Sequence, residues 1–161
     1  MKNLKIEIKW AIIFAVMQLL WMLLERLTGL HSEHIDKHVI FTNFIAIPAI
    51  AIYVFALFDK RKNFYQGTMT YKQGFVTGFF ITLFVTVFSI ATQYITSTII
   101  SPDYFSNVIE YSVSEGKMTQ EAAENAFNLK SYLIQAPIGA LVMGLLTSAI
   151  VAIFTRKKSA N

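Results

Sequence analysis

The sequence contains no cysteine, only three prolines and few charged residues. The absence of cysteine excludes a disulfide framework and thiol chemistry. Charged residues make up 15% and hydrophobic residues 55% of the chain, whereas soluble domains have about 25% and about 45–50%. A single soluble domain of 161 residues cannot hide so much apolar surface, because roughly 30% of its chain surface stays exposed. The composition therefore predicts a protein embedded in lipid rather than an ordinary soluble enzyme.

Four long segments are apolar enough to cross about 30 Å of hydrocarbon, which takes about 20 residues. Charge-free stretches occupy 39–58, 73–102 and 131–155. A shorter one occupies 10–24. The helix can continue beyond both of its ends, because the long side chains of Lys9 and Arg26 can reach the membrane surfaces. We predict one all-α membrane domain, a four-helix bundle with spans at about 8–28, 39–58, 74–100 and 131–155. The runs do not alternate as barrel strands do, and no cleavage site follows the first, so it is expected to be a retained helix.

The charges are sorted between the two sides of this bundle. Residues 1–9, the inner loop 59–73 and residues 155–161 hold ten of the 14 basic residues. The outer loops, 29–38 and 101–130, together with the outer ends of the flanking spans, hold eight of the ten acidic residues. The positive-inside rule then predicts a multi-pass protein of the cytoplasmic (inner) membrane with both termini cytoplasmic. The basic face is expected to contact anionic lipid, not nucleic acid.

The second outer loop has the pattern of two short helices. Pro102 and Asp103 are typical of a helix start, Gly116 interrupts the apolar periodicity, and Thr119 begins a new segment. This pattern predicts an extracytoplasmic helical hairpin between spans three and four.

All three histidines lie in the first outer loop, at positions 31, 34 and 38. On a continuous helix His31, His34 and His38 would share a face, where neutral imidazoles could bind zinc or a similar divalent metal. Gly29 instead indicates a helix end. A pH-responsive surface and a plain solvated loop are the alternatives.

Three polar residues near or within the spans are functional candidates. A carboxylate at a membrane edge, Glu25, needs a partner, and one of the histidines or Lys130 could supply it; the simpler interpretation places Glu25 among the lipid headgroups. Asn43 lies in the second span near Pro48, which is expected to disturb the helix. Gln93 belongs to a stripe of hydroxyl and amide residues on the third span, where it could line a channel. The centre of each span lacks charge, which argues against an ion relay.

Two helix faces carry small residues at four-residue steps, a pattern that lets helices approach closely in lipid. We expect these faces to pack against each other or against a second copy. The residues concerned are Gly74 and Gly78 in the third span, and Ala136, Ala140, Gly144 and Ser148 in the fourth.

Several short motifs, taken in order, resemble a known family. They are Glu25, Gly29, His31, His38, Thr42-Asn43 and Ile47-Pro48; Tyr71 to Phe75; Gly116 to Thr119; Phe127 to Leu129; and Gly144 with Ser148 to Phe154. Over nearly its whole length the chain resembles the uncharacterised bacterial family called domain of unknown function 4199. The resemblance implies a four-span inner-membrane protein of Gram-negative bacteria and carries no established activity.

Three functions are compatible with these features. The first is a non-enzymatic scaffold or accessory subunit that binds itself or another membrane protein and needs no cofactor. The second is an oligomeric transport or channel component. The third is a sensor or enzyme with a metal at the three histidines. No catalytic motif is visible, so we expect no enzymatic activity.

Overall fold

The computed structural model describes residues 4–157; Lys2 and Lys158, which count toward the predicted basic face, lie outside this range. Within it the chain is helical, which confirms the all-α prediction. The helices are α1 (Lys5–Leu27), α2 (Ile35–Phe41), α3 (Ala46–Asn63), α4 (Tyr71–Ile95), α5 (Tyr104–Ser114), α6 (Gln120–Ala126) and α7 (Leu129–Thr155). A 3₁₀ turn, Thr42–Ile45, joins α2 to α3, and a π-helical segment, Thr96–Ile100, continues α4. The irregularity expected near Pro48 takes the form of this 3₁₀ turn.

Within residues 4–157, four helical stretches are long and apolar enough to cross a membrane, and they overlap the four predicted spans. They are Lys5–Leu27, Ile35–Asn63, Tyr71–Ile100 and Leu129–Thr155. Large apolar side chains on their outer surfaces remain uncovered: Leu20 is 61% and Phe154 is 78% exposed. In water such a surface would be strongly unfavourable; in a bilayer it faces lipid tails.

The two ends of the bundle differ in chemistry. The basic end contains the start of α1, the end of α3, the start of α4 and the end of α7. There the Lys9 ammonium and the Trp10 indole N–H both bind the Asp59 carboxylate. The histidine end contains the end of α1, α2, α5, α6 and the start of α7.

At the basic end, the segment before α4 is tied to the end of α7. Met69 and Lys157 exchange two backbone hydrogen bonds of 2.9 and 2.8 Å. The Arg61 guanidinium donates to the Thr155 carbonyl at 2.8 Å, which satisfies a carbonyl in the last turn of α7. A capping box between Thr70 and Gln73 fixes where α4 begins.

The most extensive contact between helices joins α4 to α7. A methyl group added at Gly78 would lie 2.5 Å from Ser148 Oγ, and one at Gly144 would lie 2.6 Å from Thr82 Oγ1. Gly74 faces Ala152 in the same way. The small-residue faces of α4 and α7 therefore pack against each other within one chain. A bulky residue at Gly144 would disrupt the fold itself and cannot report on self-association.

Toward the histidine end, the small-residue face of α7 lines a cleft instead of packing tightly against α4. Ala136 and Ala140 line a cleft between α3 and α7. A methyl group added at Gly139 would meet no atom within 4 Å. The bundle is therefore tight near its basic end and opens toward its histidine end.

Candidate metal centre

Glu25, in the last turn of α1, is the centre of the site. The residue as a whole is 1% exposed, so its carboxylate is enclosed by other parts of the chain. Trp21, one helical turn earlier, donates its indole N–H to Glu25 Oε1 at 2.6 Å. This bond fixes the carboxylate and leaves Oε2 to face the turn that follows α1.

His31 reaches Glu25 because α1 ends sharply. Gly29 has a positive φ of 77°, which favours glycine, and the Leu30 N–H bonds back to the Glu25 carbonyl at 2.9 Å. His31 Nε2 then lies 3.0 Å from Glu25 Oε2. Its Nδ1 lies 2.6 Å from Ser101 Oγ, a buried hydroxyl directly after the π-helical segment.

His38 approaches the same oxygen from α2. Its Nε2 lies 3.3 Å from Glu25 Oε2, and its Nδ1 is 3.5 Å from the Tyr104 hydroxyl. The His31, His38 and Tyr104 rings form a triangle with centroids 5.1 to 5.3 Å apart. Burial raises the pKa of Tyr104 well above its usual value, so this phenol stays protonated.

The donor atoms have the spacing and chemistry of a metal site. One ligand atom from each of Glu25, His31 and His38 can be chosen so that all lie within 4.8 Å of one another. Tetrahedral zinc with ligand bonds of about 2.0–2.1 Å separates its ligands by roughly 3.3 Å. Two imidazoles and one carboxylate form a known catalytic zinc set with a fourth position for water. Each imidazole also places its second nitrogen near a hydroxyl, as metal-ligating histidines do.

Two cavities flank this cluster. One, of about 370 Å³, has Glu25 and Trp21 in a mostly apolar wall that includes Phe41 and Phe44. The other, of about 180 Å³, is lined by His31 and polar residues of the turn and α5. There Asn107 donates to the His31 carbonyl at 2.9 Å, which holds α5 against the turn. The lining of this polar cavity also includes one charge of each sign, Arg26 and Asp103.

The structure brings together only some of the residues singled out from the sequence. His31 and His38 converge on Glu25, whereas His34 is exposed, lies outside the cluster and lines the apolar cavity. The three histidines do not share a helix face, because the turn after α1 contains His31 while His38 belongs to α2. Asn43 and Gln93 lie elsewhere, in the cleft between α3 and α7.

Sequence reasoning missed two groups that complete the site, the buried Ser101 and the half-buried Tyr104, and a second buried acid. At the basic end Glu7 is 2% exposed and pairs with Lys60 at 2.8 Å. A signal for both acids is present: Glu7, Gln18 and Glu25 are spaced by 11 and 7 positions, which returns them to one face of α1.

Comparison with known proteins identifies a family and no activity. No curated protein and no solved structure matches the chain. A family model described as "Protein of unknown function (DUF4199)" matches residues 9–157. The chain therefore belongs to the DUF4199 family.

Proposed function

We propose that this protein binds a divalent transition metal of the zinc class at Glu25, His31 and His38. One observation carries the proposal. The Nε2 atoms of both imidazoles lie 3.0 and 3.3 Å from a single carboxylate oxygen, while both Nδ1 atoms face hydroxyl groups. When each Nδ1–H donates to its hydroxyl oxygen, each Nε2 lone pair is available, which is the tautomer that a metal requires.

The ligand set favours borderline metals. Imidazole nitrogen suits zinc, copper and nickel, whereas a site for magnesium or calcium would be built from oxygen atoms. The Trp21 bond occupies Glu25 Oε1, so the carboxylate offers one oxygen to the ion. A fourth position remains for water or for a ligand from the polar cavity.

We further propose a sensing rather than an enzymatic role. The side chains of the three ligands are 2%, 6% and 16% exposed, so a substrate larger than a small ion has little access to the metal. The excess of basic residues at the other end supports cytoplasmic termini by the positive-inside rule. The metal centre would then face the outside of the cytoplasmic membrane.

Metal titration of the purified full chain tests the proposal. After treatment with a chelator, the protein should bind one Co²⁺ or Zn²⁺, measured by cobalt absorption and by calorimetry. Glu25→Gln and His38→Ala should each weaken binding at least tenfold. His34→Ala is the matched control, because His34 lies on the same loop outside the cluster.

Two results would overturn the proposal. One is the lack of stoichiometric binding by the wild-type chain. The other is an equal loss of affinity in His34→Ala and His38→Ala, which would show that the loop binds metal without the cluster.

A scaffold role is the second candidate. A groove of about 520 Å³ between α5 and α6 contains Ile109 and Val113 beside Glu110 and Glu124. Such a mixed groove fits a partner segment with apolar and basic residues. Val113→Lys should reduce recovery of a crosslinked membrane partner, whereas Lys117→Ala, outside the groove lining, should not; equal recovery in both would contradict a role for the groove.

A further inference from the structure

A separate cleft lies within the predicted membrane region, on the histidine-end half of the bundle. It has a volume of about 450 Å³; α3 and α7 form its walls, and α1 and α4 form its floor. Most of its lining is apolar or small, including Ala49, Gly139 and Ala140. Three amide side chains interrupt this lining: Gln18, Asn43 and Gln93.

The amides use only part of their hydrogen-bonding capacity. Gln93 Nε2 donates to Ser97 Oγ at 2.9 Å, and Asn43 Nδ2 donates to the Val39 carbonyl at 2.6 Å. Gln18 Oε1 accepts from Thr92 at 3.4 Å. Within residues 4–157, the Gln18 amino group and the Gln93 and Asn43 carbonyl oxygens have no hydrogen-bond partner. Asn43 is exposed and Gln18 and Gln93 are half-buried at the surface of the chain, and amide groups that face hydrocarbon without a partner cost several kcal/mol each.

We propose that the cleft binds one uncharged lipid whose head carries both a hydroxyl and a carbonyl, the chemistry of an acylglycerol. The Gln18 amino group needs an acceptor, which an ester carbonyl supplies. The Gln93 oxygen needs a donor, which the single glycerol hydroxyl supplies, while the Asn43 side chain is exposed at the edge of the cleft. The residues that line the cleft, all within the described range, include no charged side chain, so a phosphate would lose its hydration without gaining a counter-ion.

The shape of the cleft fits such a ligand. Small residues on both walls, among them Ala46 and Gly139, leave room for an acyl chain to leave toward the bilayer. A volume of about 450 Å³ is within the roughly 300–1,000 Å³ of small-molecule sites. This proposal does not depend on the metal centre, which lies at the end of α1 outside the cleft.

The experiment compares two lipids that differ in one group. The full chain in detergent is titrated with 1,2-dioleoylglycerol and, separately, with dioleoyl phosphatidate, and bound lipid is counted by native mass spectrometry. We expect one saturable site for dioleoylglycerol, at least tenfold tighter than for phosphatidate. Gln18→Leu should weaken dioleoylglycerol binding about tenfold and leave phosphatidate unchanged.

A filling variant locates the site. Gly139→Phe should abolish dioleoylglycerol binding without moving α7, because a methyl group at Gly139 meets no atom within 4 Å. Ile138→Phe is the matched control: Ile138 is the preceding residue of α7, is 59% exposed and does not line the cleft. Thermal unfolding of both variants checks that each is folded.

Four results would overturn the proposal. Dioleoylglycerol binding that does not saturate would show that the cleft holds only water or bulk lipid. Equal affinity for dioleoylglycerol and phosphatidate would contradict the assignment of an uncharged head group. Equal binding of dioleoylglycerol by the Gly139→Phe and Ile138→Phe variants would contradict the assignment of the site to the cleft. Conversion of a dimer to a monomer by Gly139→Phe would assign the cleft to a second copy instead.

Discussion

Two buried glutamates on the same face of α1 have different partners. Glu7 and Glu25 are 2% and 1% exposed and lie about 27 Å apart along the helix at 1.5 Å per residue. Glu7 pairs with the Lys60 ammonium at 2.8 Å. Glu25 has two imidazoles and an indole N–H.

The partner determines what each carboxylate can do. The Lys60 ammonium has no lone pair for a metal, so the Glu7–Lys60 pair serves as a link between α1 and α3. An imidazole nitrogen can coordinate a transition metal, which a lysine ammonium cannot. The same acid on the same helix face is therefore structural at the basic end and available for ligand exchange at the histidine end.

The largest expected effect comes from breaking the basic-end pair. Lys60→Met leaves Glu7 buried without a cation and should lower the free energy of unfolding by about 3–5 kcal/mol, measured by denaturation in detergent. Lys62→Met, which removes an exposed lysine of the same helix, is the control. Adding Glu7→Gln to Lys60→Met should recover most of the loss; an unchanged loss in the double variant would contradict the ion-pair explanation.

The next effect is the stabilisation of the fold by bound zinc, which should depend on Glu25 and not on Glu7. Zinc at 100 times its dissociation constant should stabilise the wild-type chain by about 2.7 kcal/mol. Glu25→Gln, which should weaken binding at least tenfold, should lower this zinc-dependent increase to about 1.4 kcal/mol or less, whereas Glu7→Gln should retain it whatever its own stability. Thermal unfolding with and without zinc measures both. An equal loss of the zinc effect in the two variants would refute the functional difference between the acids.

A smaller effect is expected from the hydroxyl behind His31. Ser101→Ala removes the partner of Nδ1 at 2.6 Å and should weaken cobalt binding about 10-fold to 100-fold. Ser106→Ala, which removes an exposed hydroxyl of α5, should leave the affinity unchanged. Retention of full affinity in Ser101→Ala would show that His31 is oriented by other contacts.

The smallest effect is expected from Tyr104→Phe. The hydroxyl lies 3.5 Å from His38 Nδ1, which is long for a hydrogen bond, and the ring contacts remain in phenylalanine. Binding of cobalt should weaken by less than about 1 kcal/mol. A loss as large as that of Ser101→Ala would mean that the phenol itself coordinates the ion.

The parts of the fold that depend on local pattern could be predicted from the sequence. Apolar run length indicated the four long helices, and Gly29 marked the end of α1. The faces containing Gly78 and Ser148 were expected to pack, although the sequence left open whether the partner was the same chain. Local periodicity and small-residue spacing are sufficient for these features.

The metal centre could be predicted only in part, because it joins distant segments. His31 and Ser101 are 70 positions apart, and their contact depends on the path of the chain after α4. The choice between His34 and His38 depends on the turn after Gly29, which rotates His34 away from the cluster. The Glu7–Lys60 pair likewise depends on how α3 returns beside α1.

The dominance of the α4–α7 contact has a consequence for how the protein is made. The Thr82 hydroxyl lies beside Ser148, 66 positions later in the chain. The backbone hydrogen bonds of Met69 are to Lys157, which is also in the last part of the described chain. A ribosome releases α7 last among the described helices. Before α7 has been synthesised, the face of α4 that contains Gly74 and Gly78 lacks the helix against which it packs. The first three spans therefore leave the ribosome as an incomplete assembly, and a chain truncated before α7 should be a substrate for membrane quality control rather than a smaller working bundle.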